Sequence, residues 1–300
     1  TRKVLPVYWE QDRIPASTTV KKLFPIVEKK RLNDAVVWVK LKAPLIARKV
    51  QAGQFIMFRL DEFGERVPLT VADYDREAGT ITLIFQIVGE STRQFAALEE
   101  GDSILDLVGP LGMPTEIPEG TKSACVIGGG VGCAIAYPQA KQLHAKGIAV
   151  DTIAGFRSKD IVILEDEFRS CSDNLYLCTD DGSYGTKGFV TNVLQQQLES
   201  GKKYDVVIAI GPVPMMKFVC QTTKPYDLPT IVSLNPIMVD GTGMCGGCRV
   251  TVGGKIRYAC VDGPDFDGHQ VDFEELMRRN GTYREQEQHV CRLHREGGAQ

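Results

Sequence analysis

The stretch SACVIGGGVGCAIAYPQAKQLHAKG, residues 123–147, decides the fold that we expect for this chain. It begins with a short apolar strand, continues through a turn of glycines and ends in a helix. Further strands follow in AVDTIAGFRSKD (149–160), LYLCTDDGSYG (175–185), YDVVIAIGPVPMMKFV (204–219) and LPTIVSL (228–234). Apolar strands that alternate with helices indicate a parallel sheet, so this half predicts a Rossmann-like α/β domain.

The sequence before residue 110 has a different pattern. The segments AVVWVKLKA (35–43), QFIMFRL (54–60) and TITLIFQIV (80–88) are short, rich in β-branched and aromatic residues, and bounded by glycine, proline or charges, which is typical of strands. Their regular spacing predicts a small antiparallel β-barrel. The expected domains are an N-terminal arm (1–20), the barrel (21–118), the α/β domain (119–228), a small cysteine segment (229–268) and a polar tail (269–300).

Composition limits the class of protein. The 300 residues carry a net charge of −3, and the pI is near 5.9, which predicts neither a nucleic-acid partner nor a membrane surface. No apolar run reaches membrane-spanning length, and the N-terminal residues show no signal-peptide core. The nine cysteines are an odd number, and several lie in apolar runs. We therefore expect a reducing, cytoplasmic setting rather than a disulfide framework.

Two turns of the α/β half form a candidate phosphate site. Glycines after a strand let the backbone approach a pyrophosphate, and the next helix offers free N–H groups. Both turns lie at carboxyl ends of strands, where ligands bind in such sheets. A tight turn that binds nothing, and methionines that only face the core, are the alternatives. The candidate residues are Gly128, Gly129, Gly130, Val131, Gly132, Gly211, Pro212 and Met215.

Three turns of the barrel are further candidates. An arginine beside a hydroxyl-bearing residue can pair with a phosphate or a ring carbonyl, and a strand end with glycine, serine and threonine offers N–H and O–H donors. Ordinary turn chemistry is the alternative for each. The residues are Arg66, Pro68, Leu69 and Thr70 in the first turn, Gly89, Ser91 and Thr92 in the second, and Gly109 and Pro110 in the third.

The C-terminal part contains the spacing Asp240-x4-Cys245-x2-Cys248-x11-Cys260. It matches the plant-type [2Fe–2S] pattern apart from an aspartate at the first position. Four glycines between residues 241 and 247 let backbone amides turn toward sulfur, and RVTVGGKIRYAC (249–260) predicts a hairpin that turns at its paired glycines. A zinc site and incidental cysteines are the rivals. Thr242 and Cys291 compete with Asp240 for the fourth ligand.

The order of these parts resembles the ferredoxin–NADP reductase superfamily. The motifs that carry the resemblance are RVPLT, VGEST, GGGVGCAIAYP, TDDGSYGTKGFVT and IGPVPMM, followed by the cysteine segment. Over about residues 20–275 the chain resembles most closely the small subunits of NADH-dependent reduced ferredoxin:NADP oxidoreductase, also called sulfide dehydrogenase small subunits. It is also similar to the electron-transfer subunits of dihydroorotate dehydrogenase. In those subunits four cysteines hold the cluster, whereas Asp240 favours the first group.

The resemblance implies FAD in the barrel, a [2Fe–2S] cluster in the cysteine segment and a nicotinamide nucleotide over the glycine turn. It places the first barrel turn at the flavin, and Met215 near the nicotinamide. NAD(H) is favoured by analogy, although Arg157, Ser158 and Lys159 would also suit the 2′-phosphate of NADP(H). The further residues implied are Val88 beside the FAD pyrophosphate, and Arg157 and Asp181 at the adenosine half of the nucleotide.

The implied activity is that of an oxidoreductase subunit that converts hydride transfer into single-electron transfer. No acid–base residue is required, so no catalytic side chain is assigned. A larger flavin and iron–sulfur partner of the glutamate-synthase small-subunit type is implied, in an electron-bifurcating complex with ferredoxin. The alternatives are the dihydroorotate dehydrogenase subunit and a non-catalytic subunit that keeps the fold. His289, Cys291 and His294 in the tail have no assigned role.

Overall fold

The computed structural model describes residues 24–283. The predicted arm and the tail residues His289, Cys291 and His294 lie outside this range. The first domain contains strands β1 (Phe24–Arg31), β2 (Val36–Lys42), β3 (Phe55–Arg59), β4 (Val67–Asp75), β5 (Thr80–Gln86), β6 (Ser103–Ile104) and β7 (Asp106–Leu111), with helices α1 (Pro44–Ala47) and α2 (Glu90–Ala97).

These seven strands form one antiparallel sheet in the order β6-β1-β2-β5-β4-β3-β7. Side chains from all seven strands meet in a common core, as in a barrel. Helix α2 contributes Phe95, whose ring centroid lies 4.7 Å from that of Phe85 and 4.9 Å from that of Phe58. The predicted barrel is confirmed.

The second domain is the predicted α/β unit. It contains β8 (Ser123–Gly129), α3 (Cys133–Ala145), β9 (Ala149–Phe156), α4 (Glu165–Ser170), β10 (Asn174–Thr179), β11 (Thr186–Lys187), α5 (Val190–Glu199), β12 (Val206–Ile210), α6 (Val213–Thr223) and β13 (Thr230–Ser233). The strands are parallel, in the order β11-β10-β9-β8-β12-β13. The chain leaves β8 toward one edge and later returns through β12 on the other side of β8. This switch point opens a crevice between the carboxyl ends of β8 and β12.

The cysteine segment is attached to the α/β sheet at both of its ends. It contains β14 (Arg249–Val252), β15 (Lys255–Tyr258), α7 (Ala259–Asp262) and β16 (Asp265–Asp267), and helix α8 (Phe273–Asn280) follows it in the predicted tail. Strands β14 and β15 form the predicted hairpin, with the positive φ angles of the turn at Gly253 and Gly254. Strand β16 then pairs with β13 as an antiparallel edge strand. The domain limits drawn from the sequence stay predictions.

Helix α8 differs from the expected polar tail. Asp272 caps its first turn by accepting from the Glu275 amide at 2.9 Å. Phe273 and Leu276, three residues apart on one face, are buried in the core of the α/β domain. The remaining positions are mostly charged. The average polarity of the segment therefore indicated a polar tail rather than a helix. Within residues 24–283, no helix is both long and apolar enough to cross a bilayer, and the cytoplasmic location stays a prediction.

The barrel and the α/β domain share a core. Ala72 of β4 packs in one cluster with Ala136 and Ala140 of α3. At the rim, Lys141 Nζ lies 2.8 Å from both carboxylate oxygens of Asp73. Buried apolar contact, with an ion pair at its edge, therefore joins the two domains.

A buried carboxyl lies where the barrel, the α/β domain and the cysteine segment meet. Asp265 Oδ2 accepts from the Thr115 hydroxyl at 2.5 Å, and Thr115 in turn accepts from the buried amide of Gln139 on α3. The other oxygen, Asp265 Oδ1, is buried without a hydrogen-bond partner among the described residues. Burial raises the pKa of Asp265 from 3.8 to about 6, against the opposing hydrogen bonds from Ser233 and Thr115.

We predict that Asp265 lowers stability above pH 6. The folded state retains the proton up to about pH 6, whereas the unfolded state releases it near pH 4. Stability therefore falls as pH rises between these values and stays reduced above them, by about 2–3 kcal/mol. Asp265→Asn should remove this fall, as measured by urea unfolding between pH 4 and pH 8. Asp160→Asn, at an exposed position, is the control. The prediction fails if Asp265→Asn and wild type show the same pH profile.

Candidate functional site

A cleft of about 540 Å³ lies at the switch point of the parallel sheet. The glycine turn after β8 and the turn after β12 form one wall, and Asn33, Ala35, Val36 and Gln86 of the barrel form another. The structure thus brings the two predicted phosphate turns together. The predicted residues that line the cleft are Gly129, Gly130, Val131, Gly132, Arg157, Gly211, Pro212 and Met215.

The two turns touch each other with no room for side chains. A Cβ at Gly132 would lie 2.5 Å from the Ile210 carbonyl oxygen and 2.8 Å from Gly211 Cα. A Cβ at Gly129 would lie 2.3 Å from Met215 Sδ, and one at Gly128 would lie 2.7 Å from Cys133 Sγ. Gly128 does not line the cleft, so the need for glycine at this position comes from the packing of helix α3. The glycines therefore serve the fit of α3 and α6 as well as the open backbone of the cleft.

The first barrel turn leads into β4, which lies beside β3. Thr70, Leu69 and Pro68 of β4 pair with residues 55–57 of β3. Arg66 is exposed and makes no ion pair within the described part of the chain, so its guanidinium is available to a ligand. The third turn lies in β7, on the other side of β3. A Cβ at Gly109 would lie 2.6 Å from Ile56 Cγ2, which explains the glycine there before Pro110.

The second barrel turn begins helix α2, and its hydroxyl groups are already engaged. Thr92 Oγ1 accepts from the amides of Val88 and Gly89 at 3.0 and 3.1 Å and caps the helix. Ser91 Oγ donates to Glu65 Oε2 at 2.9 Å, which ties this turn to the loop before Arg66. Val88 is 70% exposed. The free donors at this turn are the first-turn amides of the helix, rather than the hydroxyls.

The far end of the cleft contains residues that the sequence did not single out. Asp180 and Phe189 line it beside Arg157, whereas Asp181 does not. Asp181 Oδ1 accepts from the Ser183 amide at 2.8 Å and from its hydroxyl at 2.6 Å, and these bonds lower the pKa of Asp181. The motif TDDGS pointed to this loop, but the choice between neighbouring aspartates depends on side-chain direction. Ser233 and Asn235 also line the cleft, and the sequence did not indicate them as candidates.

The four candidate cluster ligands form two pairs. Cys245 Sγ lies 3.5 Å from Asp240 Oδ1, and Cys248 Sγ lies 3.2 Å from Cys260 Sγ. The second pair is buried, and Cys245 is exposed. Within residues 24–283, no three acidic, cysteine or histidine side chains converge on one metal position. The arrangement suits a group with two metal ions, each held by one pair.

Backbone amides surround these pairs. The Gly247 amide donates to Cys245 Sγ, and the Cys260 amide donates to Cys248 Sγ, both at 3.4 Å. Amides directed at sulfur stabilise an anionic iron–sulfur group, so the donor set fits the predicted cluster. Burial and the neighbouring Cys248 raise the pKa of the Cys260 thiol to about 12, so iron must displace protons when it binds.

Asp240 is hydrogen-bonded to the loop that leads from it to Cys245. Its carboxylate accepts from the amide of Thr242 at 2.9 Å and from those of Met244 and Cys245 at 3.1 Å. The hydrogen bond from the Thr242 amide, and those from the side chain and amide of Cys245, lower the pKa of Asp240 against the opposing effect of burial. The rival Thr242 points its hydroxyl at Asp240, at 3.2 Å. The other rival, Cys291, lies outside the described residues.

The cysteine segment packs directly on the barrel. Cys248 and Cys260 share a small core with Phe55 and Met57 of β3. Because β3 is flanked by β4 and β7, the buried thiols lie against the strand between the first and third barrel turns. Adjacent strands are separated by about 4.8 Å, so the candidate flavin turns and the buried ligand pair are close neighbours.

Comparison with known proteins agrees with this geometry. The family model for the iron-sulfur cluster binding domain of dihydroorotate dehydrogenase B matches residues 235–272. A dihydroorotate dehydrogenase B (NAD(+)) electron transfer subunit homolog of Thermotoga maritima is 48% identical over 87% of this chain and 92% of its own length. The corresponding subunit of Fusobacterium nucleatum is 36% identical over 79% and 92%.

A solved structure agrees as well. It is described as that of the NADH-dependent reduced ferredoxin–NADP oxidoreductase in flavin-based electron bifurcation, and it has a TM-score of 0.84 and 47% identity over 89% of this chain and 95% of that one. A β-barrel, a parallel α/β sheet and an iron–sulfur domain define the class of ferredoxin–NADP reductase-like electron-transfer proteins. This chain belongs to the family of dihydroorotate dehydrogenase B electron-transfer subunits and their homologues. The predicted family, fold class and electron-transfer role are confirmed.

We predict that Gly132→Ala destabilises the protein by about 1–3 kcal/mol, because the added methyl group overlaps the Ile210 carbonyl and drives the two turns apart. Urea unfolding measures this loss. Gly281→Ala is the control, since its φ of −82° suits alanine and its nearest contact is 3.4 Å away. Equal midpoints for Gly132→Ala and wild type would contradict the packing argument.

Proposed function

We propose that this chain is the flavin and iron–sulfur subunit of a larger oxidoreductase, and that it carries electrons between NAD(H), FAD, a [2Fe–2S] cluster and a partner flavoprotein. The observation that carries the proposal is the core shared by Cys248 and Cys260 with Phe55 and Met57. It joins the buried ligand pair to the strand beside the candidate flavin turn. Similarity to the solved bifurcating reductase supports the same function.

The barrel would hold FAD at its three turns. Arg66, which forms no ion pair within residues 24–283, supplies a guanidinium for a phosphate or a ring carbonyl. The α2 N-terminus supplies amides for the pyrophosphate, and Thr70 adds a hydroxyl from β4. Bound there, FAD would exchange hydride with a nicotinamide and single electrons with an iron–sulfur cluster. The side chains bind, orient and exclude water, and none needs to transfer a proton.

The cleft would hold NAD(H) across the switch point. The turn of Gly130–Gly132 would receive the pyrophosphate, with the N-terminus of α3 behind it. Gly211 and Pro212 at the end of β12 would border the nicotinamide, on the side of the cleft that the barrel closes. Arg157 and the residues after β10 would border the adenosine. This order follows the order of the strands in the sheet.

The cysteine segment would hold the [2Fe–2S] cluster with one ligand pair for each iron. Cys248 and Cys260 would bind the iron nearer the barrel, because both pack on β3. Asp240 and Cys245 would bind the outer iron, because Cys245 is exposed. The difference in burial would give the cluster an inner side toward the flavin and an outer side toward solvent or a partner.

The partner would cover this outer side. Met244 is 88% exposed and Val239 is 58% exposed, next to the outer ligands. Exposed apolar groups at such a site suit a protein interface. We propose a flavin and iron–sulfur partner of the glutamate-synthase small-subunit type, and ferredoxin as a further electron carrier in the complex.

The second candidate is the electron-transfer subunit of dihydroorotate dehydrogenase, which the matching iron–sulfur family model favours. Asp240 in the place of the first cysteine favours the bifurcating transhydrogenase. Affinity purification of the chain from its own cells separates the two. A glutamate-synthase-like flavoprotein supports the transhydrogenase, and a dihydroorotate-oxidising barrel supports the second candidate.

The visible spectrum of the purified chain tests the cofactors. We expect flavin bands, iron–sulfur absorption, and two irons with two acid-labile sulfides per chain. A colourless protein would indicate a subunit that keeps the fold without electron transfer. Flavin absorption with zinc in place of iron would overturn the cluster proposal and leave the flavin proposal standing.

Asp240→Cys should retain the cluster and change its EPR spectrum and reduction potential, because a thiolate replaces a carboxylate on one iron. Thr242→Ala, which removes the rival hydroxyl, should leave the spectrum close to that of wild type. EPR of the reduced proteins and a redox titration measure both effects. If Asp240→Cys shows the wild-type spectrum and potential, Asp240 is not a ligand.

A further inference from the structure

A buried carboxyl and a hydroxyl of the cleft face each other at the end of β13. Ser233 of β13 and Asp265 of β16 lie directly opposite in the antiparallel pair, so their side chains project from the same face of the sheet, with Cβ atoms about 5 Å apart. Ser233 lines the cleft, whereas Asp265 does not. The Ser233 hydroxyl therefore lies between the carboxyl and the cleft.

The hydrogen bonds of this carboxyl leave one of its oxygens for Ser233. A threonine hydroxyl has a single proton, and Thr115 donates it to Asp265 Oδ2 while it accepts from the Gln139 amide. Asp265 Oδ1 is buried without a hydrogen-bond partner among the described residues. The Ser233 hydroxyl is close enough to lower the pKa of the carboxyl, so Oδ1 is the oxygen that is open to it.

The surroundings of Asp265 contain hydroxyls and an amide rather than charges. The residues that face it are Ser233 on β13, Thr115 after β7, Gly53 before β3 and, behind Thr115, Gln139 on α3. The other charged residue of its own strand, Asp267, accepts from the His269 amide at 3.0 Å and from the Gln270 side chain at 2.6 Å. Because none of these groups is a cation, burial dominates and raises the pKa of Asp265 to about 6.

The charge of Asp265 determines what the Ser233 hydroxyl can offer to a ligand. A serine hydroxyl has one proton to donate and two lone pairs that accept. When Asp265 is protonated, its O–H can donate to Ser233 Oγ, and the serine proton is free to point into the cleft. When Asp265 is ionised, Ser233 donates that proton to Oδ1 and offers the cleft only a lone pair. The hydroxyl thus changes from a donor to an acceptor as pH rises.

The strand order places this hydroxyl at the end of the cleft proposed for the nicotinamide. Strand β13 is the neighbour of β12, whose following turn contains Gly211 and Pro212, and β9 and β10 lie on the other side of β8. A carboxamide has both an N–H₂ donor and a carbonyl acceptor, so it can bond to Ser233 in either state. A ligand with a carbonyl alone can bond only to the donor state.

We propose that Asp265 is a positioning residue for the nucleotide, which through its own proton sets the Ser233 hydroxyl as donor or acceptor toward the nicotinamide carboxamide. This inference rests on the proposed function, because it needs a nicotinamide nucleotide in the cleft. Once Asp265 is ionised, the acceptor state requires an N–H₂ group, and the cleft then selects a carboxamide over a ketone.

Titration calorimetry of NAD⁺ and acetylpyridine adenine dinucleotide into the purified full chain, at pH 5 and pH 8, tests the assignment. The analogue has a methyl ketone in place of the carboxamide and is otherwise the same, so effects of pH on the phosphates cancel in the ratio of the two dissociation constants. For wild type, the ratio of analogue to NAD⁺ should rise about tenfold between pH 5 and pH 8, the effect of one hydrogen bond that the ketone cannot form.

Two variants and a control identify the groups. In Asp265→Asn, Thr115 still donates to the side-chain oxygen, so the amide N–H₂ faces Ser233 and keeps it in the donor state. The ratio should therefore stay at the low wild-type value at both pH values. Ser233→Ala removes the hydroxyl, so its ratio should not depend on pH. Asp166→Asn, the same charge change at an exposed position outside the cleft, should keep the wild-type rise.

The outcomes separate the inference from the function beneath it. If wild type binds both nucleotides with the same ratio at pH 5 and pH 8, the assignment of Asp265 is wrong and the nucleotide site stands. A rise that persists in Asp265→Asn or in Ser233→Ala belongs to another group and also overturns the assignment. Loss of the rise in Asp166→Asn would attribute it to general charge, with the same consequence. If a folded wild type binds neither nucleotide, the proposed function itself fails.

Discussion

The pairing of β16 with β13 is the constraint on which the site depends. Ser233 lies opposite Asp265 in this pair, and the Leu234 amide donates to the Pro264 carbonyl at 2.9 Å just beyond it. The ligand segment of residues 234–264 therefore leaves and rejoins the sheet at neighbouring points. Because both ends of this segment are fixed, only a few orientations relative to the barrel are open to it. The apolar contact of Met57 and Phe55 with the buried thiols selects one of them.

The same arrangement sets the order of the parts of the molecule, from the cleft through the barrel to the outer ligands Asp240 and Cys245. The cleft lies at the switch point between β8 and β12, the barrel closes one side of it, and β3 carries the contact onward to the cysteine segment. Each junction is a packed apolar interface with a few polar groups at its edge. Under the proposed function, the bound redox groups would follow the same order from the cleft to the outer ligands.

The sequence was informative where a feature is local. Alternating apolar strands and helices predicted the α/β domain, and ligand spacing with paired glycines predicted both the cluster segment and its hairpin. It was uninformative where structure depends on distant partners. Strand β16 has three residues and forms only because β13 is beside it, and α8 is recognisable only from two buried positions in a charged stretch. The division of the ligands into an inner and an outer pair depends on the barrel surface beneath them. Whether Asp180 or Asp181 lines the cleft depends on which carboxylate closes the local turn.

The contact between the two glycine turns bears on how such motifs are inherited. Gly132 has no side chain because the carbonyl of Ile210 occupies that space, and this holds whether or not a nucleotide is present. A descendant of this fold that bound no nucleotide would still be selected to keep the glycine, since its replacement would force the two turns apart. The glycine motif therefore reports how the domain packs. Whether such a domain still binds a nucleotide depends on the side chains that line the cleft.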